Sequence, residues 1–87
     1  MEKETIIAAI ESKVETYALY RIGLTHDPAK RKKEWEEEGK SVKYWAQWKA
    51  DSLSDAQAIE ALFIEKGMKG GAGGDLSAQK TVFAYVF

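Results

Sequence analysis

A chain of 87 residues with 45% apolar and 31% charged content can build one soluble domain around one core, and no more. It has no cysteine, which excludes a disulfide framework and a cysteine-bound zinc, and no apolar run approaches the length of a membrane span. Its net charge of −1 argues against tight nonspecific DNA binding, which rests on many cation–phosphate contacts, and the opening Met-Glu-Lys-Glu lacks the character of a secretion signal, so a cytoplasmic protein is expected.

The pattern from Glu2 to Glu15 predicts a helix, with Ile6, Ile7, Ile10 and Val14 at helical spacing. Nothing on it carries chemistry; it reads as an added N-terminal helix that covers a sheet. Thr16 to Leu24 predicts the first strand, from its aromatic and aliphatic content. An arginine between apolar neighbours is unusual there: Arg21 faces either solvent or a functional cleft. Gly23 suits an abrupt exit, and Asp27-Pro28 is a helix start, with a capping carboxylate followed by a proline at the first helical position. A loop that ends at a helix N-terminus is also a natural anion site.

The second helix runs from Pro28 to about Glu38 and is ended by Gly39. Arg31 and Trp35 are i,i+4 neighbours, so Trp35 can pack on the sheet and hold Arg31 beside it. The basic run Lys30-Arg31-Lys32-Lys33 reads most simply as a solvated face balanced by Glu34 and Glu36 to Glu38. Ser41 to Ala50 predicts the second strand, with Val42, Tyr44, Ala46 and Trp48 on its buried face. Trp45 breaks that alternation, either as a half-covered apolar residue or as a stacking platform for a base.

A third helix runs from about Asp55 to Lys66 and ends at Gly67, with Ala56, Ile59, Leu62, Phe63 and Ile64 on its buried arc. Glu60 falls inside that arc. A carboxylate there is costly unless it is paired, metal-bound or at a cleft edge; the two readings are a structural pair with Arg21 or Arg31, and a metal ligand. Residues 67–77 hold five of the seven glycines without the spacing of a P-loop, so they read as a flexible loop. Lys80 to Phe87 predicts a last strand, apolar on both faces and therefore interior. The expected class is α+β: one domain over 1–87, three strands flanked by three helices in the order α-β-α-β-α-β.

With Gly23, Arg31 and Glu60 in place, the chain resembles the GIY-YIG nuclease superfamily. The run Ile22-Gly23-Leu24-Thr25-His26-Asp27-Pro28-Ala29-Lys30-Arg31 is similar to the second motif of that family, including the step from its glycine to its arginine, and Ile59-Glu60-Ala61-Leu62-Phe63-Ile64 is similar to its glutamate helix. The match spans roughly Tyr17 to Lys66. Two departures stand out. Arg21 occupies the place of the family's second-motif tyrosine, and Tyr20, one residue off, falls on the opposite face of a strand. The Gly-Ile-Tyr strand that should come first is replaced by a helix, while Phe83-Ala84-Tyr85-Val86-Phe87 looks like that strand moved to the C-terminal end, a circular permutation with Tyr85 as the first-motif tyrosine.

The resemblance implies endonuclease chemistry on nucleic acid, in the first place DNA, with one divalent metal such as Mg2+ on Glu60. Arg31 would meet the scissile phosphate, and Tyr85, helped by Arg21, would orient or deprotonate the attacking water. Gly23, Thr25, His26 and Lys30 would line the substrate around the turn, although His26 also reads as a plain exposed loop residue. So small a domain implies a homodimer or a partner protein for targeting. Two other functions fit the same residues: a nucleic-acid-binding module that has lost catalysis, and a protein-interaction domain in which Arg31 and Glu60 form only a salt bridge.

Overall fold

The structure, a computed structural model, describes residues 1–70, 76 and 79–87. It is an α+β fold of three α-helices and one three-stranded antiparallel sheet. In chain order these are α1 (Lys3–Lys13), a short 3-10 turn (Tyr17–Leu19), β1 (Ile22–Thr25), α2 (Pro28–Glu37), β2 (Ala46–Lys49), α3 (Leu53–Glu65) and β3 (Phe83–Val86). The sheet order is β1-β3-β2, so the last strand lies in the middle, as its two apolar faces predict. Among the described residues no helix is long and apolar enough to cross a membrane.

The register divides the chemistry between two faces. Ile22 pairs with Val86, which pairs with Ala46; Leu24 pairs with Ala84, which pairs with Trp48. Directly opposed residues share a face, and these six look toward α1 and α3. Ile6, Ile10, Ala56, Ile59 and Phe63 from the two helices close the core against them, each fully buried. The other face carries Gly23, Tyr85 and Gln47 in one row and Thr25, Phe83 and Lys49 in the next. Reciprocal backbone bonds between Arg21 and Phe87, 2.7 and 3.0 Å, extend the β1–β3 ladder by one step. Residues of α2 cover this second face.

Both longer helices after the first strand stop in the same way. In α2, Gly39 takes φ +85°; its N–H donates to Glu36 and that of Lys40 to Trp35. In α3, Gly67 takes φ +118°; its N–H donates to Ile64 and that of Met68 to Phe63. This double bond pattern with a left-handed glycine is the Schellman motif. It seals α3 with a hydrophobic contact, because Met68 turns into the core.

All three expected strands are shorter than the pattern suggests, the last running only over Phe83–Val86 rather than 80–87. Thr16–Leu24 divides into the 3-10 turn at Tyr17–Leu19 and β1, which runs on to Thr25. The turn is closed by Leu19 N–H to Thr16 and Tyr20 N–H to Tyr17, and it leaves Leu19 78% exposed. Ser41–Ala50 is strand only over Ala46–Lys49; a turn precedes it, in which Trp45 N–H donates to Val42. Tyr44, expected on the buried face, is 60% exposed. The flexible loop expected over 67–77 falls largely outside the described residues; at its start Lys69 bridges to Arg21 beside β1.

The Gly39 site is a clean test of the helix stop, since a Cβ there would meet no atom within 4 Å. Gly39→Ala is expected to cost about 1 kcal/mol from the left-handed backbone alone, and Gly39→Asn less. Urea denaturation of the three proteins measures this, and an alanine as stable as the glycine would contradict the assigned conformation.

Candidate functional site at Arg31, Tyr85 and Gly23

The site begins with a helix start. Thr25, at the end of β1 and buried, accepts the Asp27 N–H through its hydroxyl at 3.1 Å, and Asp27 Oδ1 accepts the Lys30 N–H at 3.1 Å. Pro28 occupies the first turn. The cap fixes α2 across the second sheet face, but it also places a carboxylate at the helix N-terminus. An incoming anion would meet Asp27 there, so this end is a poorer phosphate cradle than the sequence suggests. His26 and Lys30 flank it in the exposed turn.

From the first and second turns of α2, Arg31 and Trp35 reach Tyr85 on the central strand. Trp35 Nε1 donates to Tyr85 Oη at 3.0 Å and Arg31 Nε donates to the same oxygen at 3.3 Å. The phenol lies directly over Gly23 on β1: a methyl at residue 23 would collide with the Tyr85 oxygen and ring. The role of Gly23 is therefore close approach, not a special turn. Trp45 stacks on the other side of Tyr85, with centroids 4.5 Å apart and planes 8° off parallel. Trp45 is the half-covered apolar residue of the first reading, stacked on Tyr85 and Phe87.

Tyr85 is 1% exposed. A phenol oxygen has two lone pairs and one proton. Trp35 and Arg31 take the lone pairs, and among the described residues nothing accepts the proton. Arg31 also donates to Glu34 at 3.3 Å. The Tyr85 hydroxyl, chiefly, and Glu34 hold the Arg31 guanidinium above its usual range against the opposing effect of burial. Arg21 joins the cluster through the same ring: the Arg21 and Arg31 guanidiniums lie 4.8 and 4.7 Å from the centroid of Trp35. Trp35 thus brings two like charges together and attracts both through its π face.

Glu60 stands apart. No hydrogen bond or ion pair joins its carboxylate to Arg31, Tyr85 or any other described residue, so the salt bridge with Arg21 or Arg31, one of its two readings, is not formed; Arg31 pairs with Glu34. The reason is position. Glu60 is on α3, which packs with the core face, whereas the arginines meet over the opposite face. Its i,i+4 neighbour Ile64 packs within 2.7 Å of where a Gly70 side chain would begin, beside the outer edge of β1. Burial without a countercharge raises the Glu60 carboxyl above its ordinary range. A divalent cation would supply that missing charge, so the donor fits a metal, but as a single carboxylate: among the described residues no group of three or more acidic or histidine side chains gathers around an ion site. Trp35 as a hydrogen-bond donor, and its contact with Arg21, are not legible in the sequence; the i,i+4 step to Arg31 is the one signal that points to them.

No family model matches this chain, and neither does any curated protein or solved structure.

Tyr85→Phe leaves Trp35 and Arg31 donors without their acceptor and is expected to cost about 1–3 kcal/mol in urea denaturation; Gly23→Ala should cost a similar amount through overpacking, and a neutral Gly23→Ala would refute the close approach. For Glu60 the folded-state pKa is raised, so the stability it contributes is present at low pH and lost as pH rises through that value. Glu60→Gln, compared with wild type in EDTA, should therefore gain relative stability progressively as pH rises from about 4, the ordinary glutamate range, through the raised value. A difference that stays constant over that range would show that Glu60 is not desolvated.

Proposed function

We propose that the protein hydrolyses phosphodiester bonds of nucleic acid, with DNA as the first substrate to test, through a GIY-YIG-type site. The observation that carries this reading is the meeting of Arg31 and Tyr85, 54 residues apart in sequence, over Gly23. The antiparallel pairing of β3 with β1 also supports it, because the permuted arrangement requires the Tyr85 strand to lie beside the Arg21-Ile22-Gly23 strand.

In this reading Arg31 makes a forked contact with the phosphate, which its planar guanidinium suits and a lysine does not. Tyr85, whose lone pairs are already engaged, uses its remaining O–H to orient a water or a phosphate oxygen. Arg21 adds positive charge at the same ring. Glu60 is the residue that would hold a divalent ion such as Mg2+, but it stands on the core side of the sheet, so an ion there would not meet a phosphate at Arg31 unless the substrate reached round the β1 edge.

One observation favours a second reading, a nucleic-acid-binding module without catalysis. Tyr85 is sealed beneath Trp45 and Trp35, so a substrate reaches its oxygen only if a neighbouring side chain moves.

The test is incubation of the purified protein with plasmid and branched DNA in Mg2+, beside Arg31→Ala and Glu60→Ala. Cleavage that falls at least about a hundredfold in Arg31→Ala, the scale of losing one charge-stabilising donor, is the expected outcome. No cleavage, with salt-sensitive binding lost in Arg31→Ala, would select the binding module.

A further inference from the structure

Beside the Arg31–Tyr85 cluster, on the side of the 3-10 turn, is an open cavity of about 170 Å³. Three cations line it, Arg21, Lys40 and Lys69, together with the rings of Tyr20 and Phe87 and the hydroxyl of Ser41; no lining side chain is acidic. In a chain with net charge −1 this concentration of one sign is a local feature of the fold.

The fold places each cation for a separate reason. Lys40 follows Gly39 and Lys69 follows Gly67-Met68, so each lysine emerges directly from a Schellman stop, with its backbone fixed by the motif. The Lys69 backbone is fixed again on β1, its N–H donating to Tyr20 at 3.1 Å and its carbonyl accepting from Ile22 at 2.8 Å. Both lysine side chains are exposed. Arg21 is held by the ladder with Phe87 and by the face of Trp35. A neighbouring cavity, lined by Lys13, Glu15 and Thr16, shares Leu19 and Tyr20 but mixes charges and offers no such complementarity.

Cations around an aromatic floor match a phosphate joined to a flat base. We propose that this cavity binds one nucleotide of a single-stranded nucleic acid, its phosphate on Arg21, Lys40 and Lys69 and its base against Tyr20 and Phe87. The proposal deepens the reading of the Arg31–Tyr85 cluster as a nucleic-acid site, since Arg21 belongs to both, and adds a subsite that holds a nucleotide flanking the one at Arg31. It does not require that the protein cleave anything.

The experiment is fluorescence anisotropy of a short labelled single-stranded oligodeoxynucleotide, in EDTA so that metal-dependent cleavage plays no part. Lys40→Ala and Lys69→Ala should each weaken binding severalfold and lower the salt slope by about 0.7, the value for one phosphate contact on a single strand. Lys80→Ala, which removes an equal charge at the opposite end of β3, should change neither quantity to that extent. Tyr20→Leu should weaken binding about tenfold through lost stacking, with a thermal melt to show that it folds. Affinities for Lys40→Ala and Lys69→Ala equal to that of Lys80→Ala would overturn the proposal, as would competition by AMP without any binding of the oligonucleotide, which would assign the cavity to a free nucleotide. Cleavage in Mg2+ that persists with unchanged affinity in both lysine variants would overturn the subsite and leave the hydrolysis reading standing. Lysine-dependent binding without cleavage would do the reverse.

Discussion

The Tyr85 hydroxyl is the joint between the two layers on the second face of the sheet. Its ring is carried by the central strand, so it cannot move without the strand; its oxygen takes one bond from Trp35 and one from Arg31, so α2 is tied to that strand at two points. Space for the ring exists only because residue 23 has no side chain. Helix α2 itself has few apolar residues, with Trp35 its one buried side chain, and could not hold its place by burial alone. Polar bonds to a buried oxygen, in a low-dielectric setting where leaving them unmade is costly, replace the missing apolar surface.

The electrostatics follow from that joint. Arg21 and Arg31 reach the Trp35 ring from different elements, one from the start of β1 and one from α2. Two guanidiniums near one ring repel, and half-buried Glu34 offsets part of that repulsion at Arg31. Helix packing alone does not call for a second arginine there. On the core side, Glu60 is a half-buried carboxylate with no cation beside it among the described residues, and the sheet keeps it apart from the arginines.

Much of the fold was legible in the sequence because local chemistry agrees with the final structure. Asp27-Pro28 starts α2, Gly39 and Gly67 stop α2 and α3, and the doubly apolar 80–87 stretch marks a central strand. The shortening of the first two strands was not legible for a shared reason. Tyr17 and Leu19, like Val42 and Tyr44, have strand-like composition, but an apolar aromatic run does not distinguish a ladder from a turn when no partner strand is available. In the actual sheet β3 has room for four paired residues on each side, with one more pair at Arg21 and Phe87, and the flanking chain turns away. In the site, Arg31 with Trp35 followed from helical spacing, and Tyr85 over Gly23 followed only from the permuted resemblance. The bond from Trp35 to Tyr85 depends on a crossing between elements 50 residues apart, which no local pattern encodes.

The burial of Tyr85 bears on how stability and chemistry are divided in this molecule. A hydroxyl that anchors a helix is held by strong partners, whereas a hydroxyl that serves a reaction must present itself to substrate. In the proposed hydrolysis one oxygen would have both demands on it, and with two donors occupying its lone pairs the structural demand is met first. The groups left accessible for a ligand lie beside it: the Arg21, Lys40 and Lys69 cations, set by glycine stops and the strand ladder rather than by Tyr85. Binding can thus change without disturbing the joint, whereas any change at Tyr85 alters anchor and site together. For that reason the two lysines would report on the proposed nucleic-acid recognition separately from the stability of the fold, and the tyrosine would not.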